Sequence, residues 1–334
     1  MERLVIIDGH AILHRAYHAV PPLTTSNGKL VNAVFGFTSM LLRVIQNLKP
    51  THVIVTFDLP KPTFRNKIYA DYQSNRPKMD KELADQIDLV HKVVERMGIP
   101  IFEVEGYEAD DVIATLARQV SGKLKTQNSK LKSTAQNLKP QENIETIIVT
   151  GDRDLLQLVQ DYIKVYMPIM GLSKSKLFGE EEVEAKFGIK PRQIVDYKAL
   201  VGDSSDNYPG VPGIGPKTAA GVLSTFKTLD RLYQQIDRVE NESLRKKLKE
   251  HLKSVELAKK LATIVTDVPI KVDLEKCKLR NLDRPNVHQL FEELEFRSLI
   301  PRLSANNRQQ TTDNKKQRRE DKKKSQNIEQ ATLF

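Results

Sequence analysis

Cysteine is nearly absent from this 334-residue chain, which carries one, Cys277, and no tryptophan at all. A single thiol excludes an internal disulfide framework and any cysteine-rich zinc site, and suits a reducing cytoplasm. Long apolar runs are missing too. No stretch approaches the ~20 residues of a membrane span, and "MERLVIIDGH" leads into a short β-branched run ending in an acid, with no export signal. The expectation is a cytoplasmic protein with no membrane partner. What is present is a hydrophobic content of 39%, enough for a core, over a length that suggests two domains plus irregular segments.

The net charge of +10 points to an anionic partner, but its placement is uneven. Residues 301–334 hold nine Lys/Arg against four Asp/Glu, and residues 121–143 hold five Lys against Glu142, leaving the remainder close to neutral. Both basic segments are polar and lack an apolar period. The first reads as a basic, disordered tail and the second as an extended surface loop. Any basic face on the folded part must then be offset by a concentrated acidic site.

Four apolar runs of strand length end at acids: "RLVIID" at Asp8, "HVIVTFD" at Asp58, "IPIFEVEGYE" at Glu108 and "TIIVTGDRD" at Asp152 and Asp154. Amphipathic helical stretches such as "NAVFGFTSMLLRVIQNL" and "ELADQIDLVHKVVERMG" lie between them. That alternation predicts a parallel sheet covered by helices, whose ligands sit beyond the carboxyl ends of the strands. "GYEADDVIATLA" adds Asp110 and Asp111 to Glu108. Acids at a helix start are by themselves ordinary N-terminal residues. Seven carboxylates converging on one sheet edge, however, raise one another's cost of ionisation and call for cations, and hard divalent ions bound by oxygen meet that need.

Beyond about residue 170 the chain reads as mainly helical to residue 300. "VGDSSDNYPGVPGIGPKTA" places Asp203 and Asp206 three apart, then Gly210, Gly213 and Gly215 before a helix start with Lys217 and Thr218. Exposed backbone amides there suit a phosphate, although the Walker pattern is not satisfied. "FRNKIYADYQSNRPKMDKEL" interleaves Phe64, Tyr69 and Tyr72 with Arg65, Lys67, Arg76 and Lys78. Aromatics among cations suit single-stranded nucleic acid, and equally an ordinary solvated loop.

The ordered set "VIIDGHAILHRAYHA", "TSNGKLVNAVFGF", "VTFDLPKPTFR", "GYEADDVIATLA", "VTGDRDLLQLV" and "LVGDSSDNYPGVPGIGPKTA" resembles the 5′-nuclease domain of bacterial DNA polymerase I, a flap endonuclease relative, over about residues 1–300. The resemblance implies an α/β fold: a PIN-like parallel-sheet nuclease domain over 1–170 with a helical arch at about 62–92 and the polar insertion 121–143. A helical helix-hairpin domain of helix-three-turn-helix type, binding duplex DNA, would follow over 171–300, then the tail 301–334.

The same resemblance implies metal ligands at Asp8, Asp58, Glu108, Asp110, Asp111, Asp152, Asp154, Asp203 and Asp206. These would hold two Mg²⁺ or Mn²⁺ ions that activate water and stabilise charge on a phosphodiester. It further implies catalytic Tyr72 and Arg76, DNA contacts at Arg65, Lys67, Lys78, Gly213, Gly215, Lys217 and Thr218, and K⁺ at the helix-hairpin motif. The implied protein is a monomeric 5′-3′ exonuclease and flap endonuclease for flapped or nicked duplex DNA and RNA-primed DNA. It would work in replication and repair, cytoplasmic and near the bacterial nucleoid, beside a separate DNA polymerase.

One departure is Gln73, in "YQSNR", where the family usually has lysine; it motivates the alternative of a weakly catalytic, clamp-tethered DNA-structure-binding protein. An RNA-only nuclease of PIN type is a third reading, disfavoured by the helix-hairpin segment. The terminal "QATLF" is similar to sliding-clamp docking peptides, with Gln330, Leu333 and Phe334 as anchors.

Overall fold

In the computed structural model, residues 2–130, 144–170 and 174–304 are described, without side chains for 121–130 and 170. The chain opens with β1 (Arg3–Asp8), α1 (Gly9–Ala19), α2 (Asn32–Leu48), β2 (His52–Thr56), α3 (Phe64–Ile68), α4 (Lys81–Arg96) and β3 (Ile101–Phe102). It continues with α5 (Ala109–Lys130), β4 (Glu145–Val149), β5 (Ile163–Met170) and β6 (Lys174–Phe178). Then come α6 (Glu180–Phe187), α7 (Ile194–Val201), the short strands β7 (Gly202–Asp203) and β8 (Tyr208–Pro209), α8 (Pro216–Phe226) and α9 (Leu229–Gln234). The last helices are α10 (Glu242–Glu250), α11 (Leu252–Ala262), α12 (Leu274–Cys277) and α13 (Pro285–Glu293).

The large sheet has the order β3-β2-β1-β4-β5-β6, parallel except for β6, which runs antiparallel to β5. Its central strands are buried on both faces, as a parallel sheet between helices requires. The period of two divides them: Leu4, Ile6, Ile54 and Ile148 join one core with α5, while Val5, Ile7, Val53, Val55 and Val149 join another with α1, α2 and α4. Each fully buried Leu or Ile contributes roughly 1.5–3 kcal/mol. Among the described residues no helix is long and apolar enough to cross a membrane.

The sheet of the first half is not closed by the first half's own helices. The sheet gains β5 and the antiparallel edge strand β6, and α6 to α11 pack their apolar faces into the core that also holds Leu4, Ile54 and Ile148. The chain then returns, so that Val287, Leu290, Phe291 and Phe296 close the opposite core against α2 and α4. The physical reason is that both sheet faces are apolar, and the helices of the first half cannot cover them alone. The helix α5 runs to Lys130, into the segment read from sequence as a loop; residues 131–143 lie outside the described residues.

Candidate metal and nucleic-acid site

Parallel pairing of β2, β1 and β4 brings their carboxyl ends to one edge. Asp8 ends β1 and caps α1, accepting from the Ala11 amide at 3.0 Å and from Thr150 Oγ1 at 2.6 Å. Asp58 follows β2, takes the Ala109 amide on Oδ1 at 2.7 Å and so ties that strand end to the start of α5. Glu108 and Asp110 arrive with α5, and Asp152 and Asp154 with the turn after β4, where the Asp154 amide donates to Asp152 Oδ1 at 2.8 Å.

Burial pushes the Asp8 carboxyl up to about 7, with Asp58 and Asp152 adding repulsion against the lowering bonds from Thr150 and Ala11. It pushes Glu108 up to about 7 as well, despite Arg65 nearby. Asp110 is raised well above the carboxylate range by burial, then by Asp152, Asp8, Asp58 and Glu108. These acids therefore lie close enough to repel one another at the strand ends.

Asp154, Asp203 and Asp206 form a second group, with one oxygen of each within 4.8 Å of the others. Three carboxylates and no nitrogen or sulfur donor make a set that suits a hard divalent cation, and this cluster is capable of coordinating one. The Lys198 ammonium, from α7, lies between Asp154 and Asp203 and bonds both. Burial, then Asp152, pushes Asp154 up to about 7 against the pull of Lys198. In Asp203 burial is outweighed by hydrogen bonds from Lys198 and Ser205, and its carboxyl sits below the ordinary value.

The loop with Asp203 and Asp206 hangs from the ribbon of β7 and β8, where Gly202 pairs with Pro209. Gly202 has φ +80°, and a Cβ on Gly210 would collide with the Gly202 nitrogen. Gly210 thus allows the two backbones to pack closely here.

Two residues expected at the site belong to the interior. Asp111, expected as a metal ligand, is 0% exposed and has both oxygens on Arg65, at 2.7 and 2.8 Å; the Val265 amide adds a further bond at 2.8 Å. Arg65, expected on DNA, is 2% exposed and also donates to the carbonyls of Leu261 and Thr263. A guanidinium engaged in this way has no face left for a phosphate.

Tyr72 and Arg76 do reach the acids. The Tyr72 hydroxyl donates to Glu108 Oε2 at 3.3 Å and Asp206 Oδ2 at 3.4 Å, and Arg76 Nη2 lies 2.6 Å from Asp206 Oδ1. Lys67 and Lys78 are exposed on the same stretch. Further along, Gly213 takes φ +79° and Gly215 caps α8, with Lys217 and Thr218 exposed in its first turn. A Cβ on Gly213 would lie 2.7 Å from Lys247 Nζ, so α10 adds a cation to this turn. Gln330, Leu333 and Phe334 lie outside the described residues.

Residue-pattern reasoning passed over Lys198, Thr150, His10 and Lys247. The "YK" of "DYKALVGD" places Lys198 five residues before Asp203, a signal visible only once the helix end is known to turn back on itself. His10 Nδ1 accepts the Asp58 amide at 3.0 Å.

Residues 3–188 match the family model for the 5′-3′ exonuclease N-terminal resolvase-like domain, and residues 189–285 that for the 5′-3′ exonuclease C-terminal SAM fold. DNA polymerase I of Bacillus caldotenax is 37% identical over 304 residues, which cover 91% of this chain and 32% of that protein. The chain thus spans about a third of the length of such relatives. Among solved structures, the bacteriophage T5 D15 flap endonuclease, in a pseudo-enzyme-product complex with DNA and metal ions, has a TM-score of 0.61 at 18% identity, over 79% of this chain and 90% of that one. The catalytic core of Rad2 in complex with DNA substrate has 0.54 at 16% identity, over 90% and 92%. This likeness completes the correction of fold: the chain has the flap-endonuclease and 5′-exonuclease α/β fold, with its helical arch and helix-hairpin-like helices, in place of the PIN-like fold expected.

Proposed function

The chain belongs to the 5′-3′ exonuclease family and is a metal-dependent nuclease, and from that premise we propose that it hydrolyses phosphodiester bonds in flapped or nicked duplex DNA. RNA-primed DNA is included among its substrates, in the 5′ to 3′ direction and at flap junctions. One observation carries this reading: acids from three adjacent strand ends face one another beside the group Asp154, Asp203 and Asp206. Asp58, Glu108, Asp110 and Asp152 would hold one Mg²⁺ or Mn²⁺ ion, with Asp8 shaping that group through Thr150; Asp154, Asp203 and Asp206 would hold a second. Bound there, such ions supply activation of water and neutralisation of charge on the phosphate and the leaving oxygen.

The chain's own part is positioning. Lys67, Arg76 and Lys78 offer cations to the strand entering beside α3. Gly213, Gly215, Lys217 and Thr218 offer amides, a hydroxyl and an ammonium to the duplex backbone, with K⁺ as an added bridge, and these contacts set register without reading bases. Work on chromosomal DNA in a bacterial cytoplasm, as a monomer beside a separate polymerase, follows from this reading. So does docking of Gln330, Leu333 and Phe334 on a sliding clamp.

The experiment is cleavage of a 5′-labelled flapped duplex in Mg²⁺ by the native chain, Asp110→Asn and Asp203→Asn. Cutting near the junction by the native chain, lost in both variants, is the expected result. Gln73 favours a second reading, because it brings an amide where a cation is expected: tight flap binding without cutting by the native chain would make this a binding protein.

A further inference from the structure

The turn at residues 71–76 is fastened to the loop at 204–207 by two kinds of contact. One kind avoids the Asp206 carboxylate: Gln73 N donates to the Asp206 carbonyl at 3.0 Å, Asn75 Nδ2 to the Ser204 carbonyl at 2.7 Å, Arg76 Nε to the Ser205 carbonyl at 3.4 Å, and Asn207 Nδ2 to the Asp71 carbonyl and Ser74 Oγ, both at 2.8 Å. The other kind converges on that carboxylate: Arg76 Nη2 at 2.6 Å and Gln73 Nε2 at 3.1 Å reach Oδ1, and the Tyr72 hydroxyl at 3.4 Å reaches Oδ2. Gln73 holds this place with φ +58°, the left-handed region that a residue with a side chain rarely adopts. A strained residue sending both its backbone N–H and its amide to one partner is over-determined by that partner.

Asp206 is 7% exposed and also belongs to the carboxylate group with Asp154 and Asp203. A divalent cation drawing an oxygen from Asp206 would meet the Arg76 guanidinium on the same carboxylate, and two cations repel strongly at such separation in a partly dry site. The Gln73 amide adds no charge to that conflict. Contacts of the first kind need not break, so the turn stays docked while its side chains change partner.

We propose that Gln73 and Arg76 form a side-chain latch on Asp206 that a divalent cation at Asp154, Asp203 and Asp206 displaces. Gln73 is the positioning residue that orients the carboxylate without competing as a charge. Cation binding then frees the Nη2 end of the half-exposed Arg76 for a phosphate at the same acids, while Nε can keep the Ser205 carbonyl, so that binding of the ion and availability of the guanidinium edge are one coupled equilibrium. This inference rests on the reading of Asp206 as a metal ligand.

The test is Mn²⁺ binding to the full chain without nucleic acid, by calorimetry and by electron paramagnetic resonance of free Mn²⁺. If the latch competes with the ion, Arg76→Gln tightens binding at the second group by about fivefold or more, and Gln73→Lys weakens it by a similar factor. A purely structural role for the turn gives the opposite sign for Arg76→Gln, or no change, and overturns the proposal. In the unmodified protein, saturating Mg²⁺ should shift the Arg76 Nη–H resonances, observed at low temperature, and speed their exchange with water; Nη–H resonances indifferent to Mg²⁺ also overturn it. Failure of the underlying reading looks different: Asp203→Asn then leaves the number of bound Mn²⁺ unchanged, and the latch falls with it.

Discussion

Arg65 and Asp111 form a two-pronged ion pair in the interior, Nη1 to Oδ2 at 2.7 Å and Nη2 to Oδ1 at 2.8 Å. The pair joins α3, the first turn of α5 and the chain leaving α11, because Asp111 also takes the Val265 amide and Arg65 the Leu261 and Thr263 carbonyls. Removing one partner leaves a buried charge without its counter-ion, which costs about 3–5 kcal/mol. Denaturant unfolding of Asp111→Ala should show a loss of that order. The folded fraction should still bind the same number of Mn²⁺ ions, whereas Asp110→Asn should lower that number with little loss of stability.

Gly202 and Gly210 stand back to back in the ribbon that carries Asp203. A methyl on Gly210 has only backbone to push against, so Gly210→Ala must part the two short strands, an overpacking cost of about 1–3 kcal/mol or more. The expected outcome is a lower melting temperature together with weakened Mn²⁺ binding at Asp154, Asp203 and Asp206, while the group around Asp110 still binds.

Asp8, Glu108 and Asp154 have carboxyls raised to about 7 from ordinary values of 3.8, 4.5 and 3.8, chiefly by burial. Between about pH 4 and 7 the folded chain therefore holds more protons than the unfolded one, and the slope of unfolding free energy against pH is negative for these groups. In chelator, stability measured by urea unfolding should fall as pH rises through that window. Saturating Mg²⁺ binds the deprotonated form and should flatten or reverse the trend, and Mg²⁺ affinity should rise with pH over the same interval. A chelated protein that gains stability from pH 5 to 7.5 would contradict the shared burial of these acids.

Lys247 approaches Gly213 from α10, so its ammonium flanks the turn that leads into α8. If a duplex backbone lies against that turn, Lys247→Ala should weaken binding equally for unrelated sequences and reduce the slope of log affinity against log salt by about 1. Binding to a nicked duplex in Ca²⁺, titrated at several salt concentrations, checks both. An unchanged slope would place the duplex elsewhere.

Much of the first half was readable because its signals are local. "RLVIID", "HVIVTFD" and "TIIVTGD" show β-branched runs closed by acids, and α2 and α4 coincide with the helical stretches expected. The strands β5 and β6 were not expected. The edge strand β6 reads "KSKLF" with Lys174, Lys176 and Leu177 exposed, so it lacks the apolar alternation of a half-buried strand. The strand β3 is only two residues, since the acids of "FEVEGYE" belong to the turn before α5.

What the sequence alone determined is the inventory of chemistry: which acids follow which strands, where the glycine turn precedes a helix, and where charge accumulates. Each of these depends on neighbours a few residues apart, through strand period, helix caps and turn geometry. Partnership among those groups was decided only by the tertiary structure. Asp110 faces the shared acidic space while Asp111, its neighbour, turns inward to Arg65, because successive residues of a helix point about 100° apart and the packing of α5 against the sheet chooses which of them faces in. Lys198 lies between Asp154 and Asp203, and Gln73 and Arg76 settle on Asp206, across separations of 44, 133 and 130 residues. Pairings at such distances follow from how the apolar faces of the helices dock on the sheet, and no local pattern encodes them.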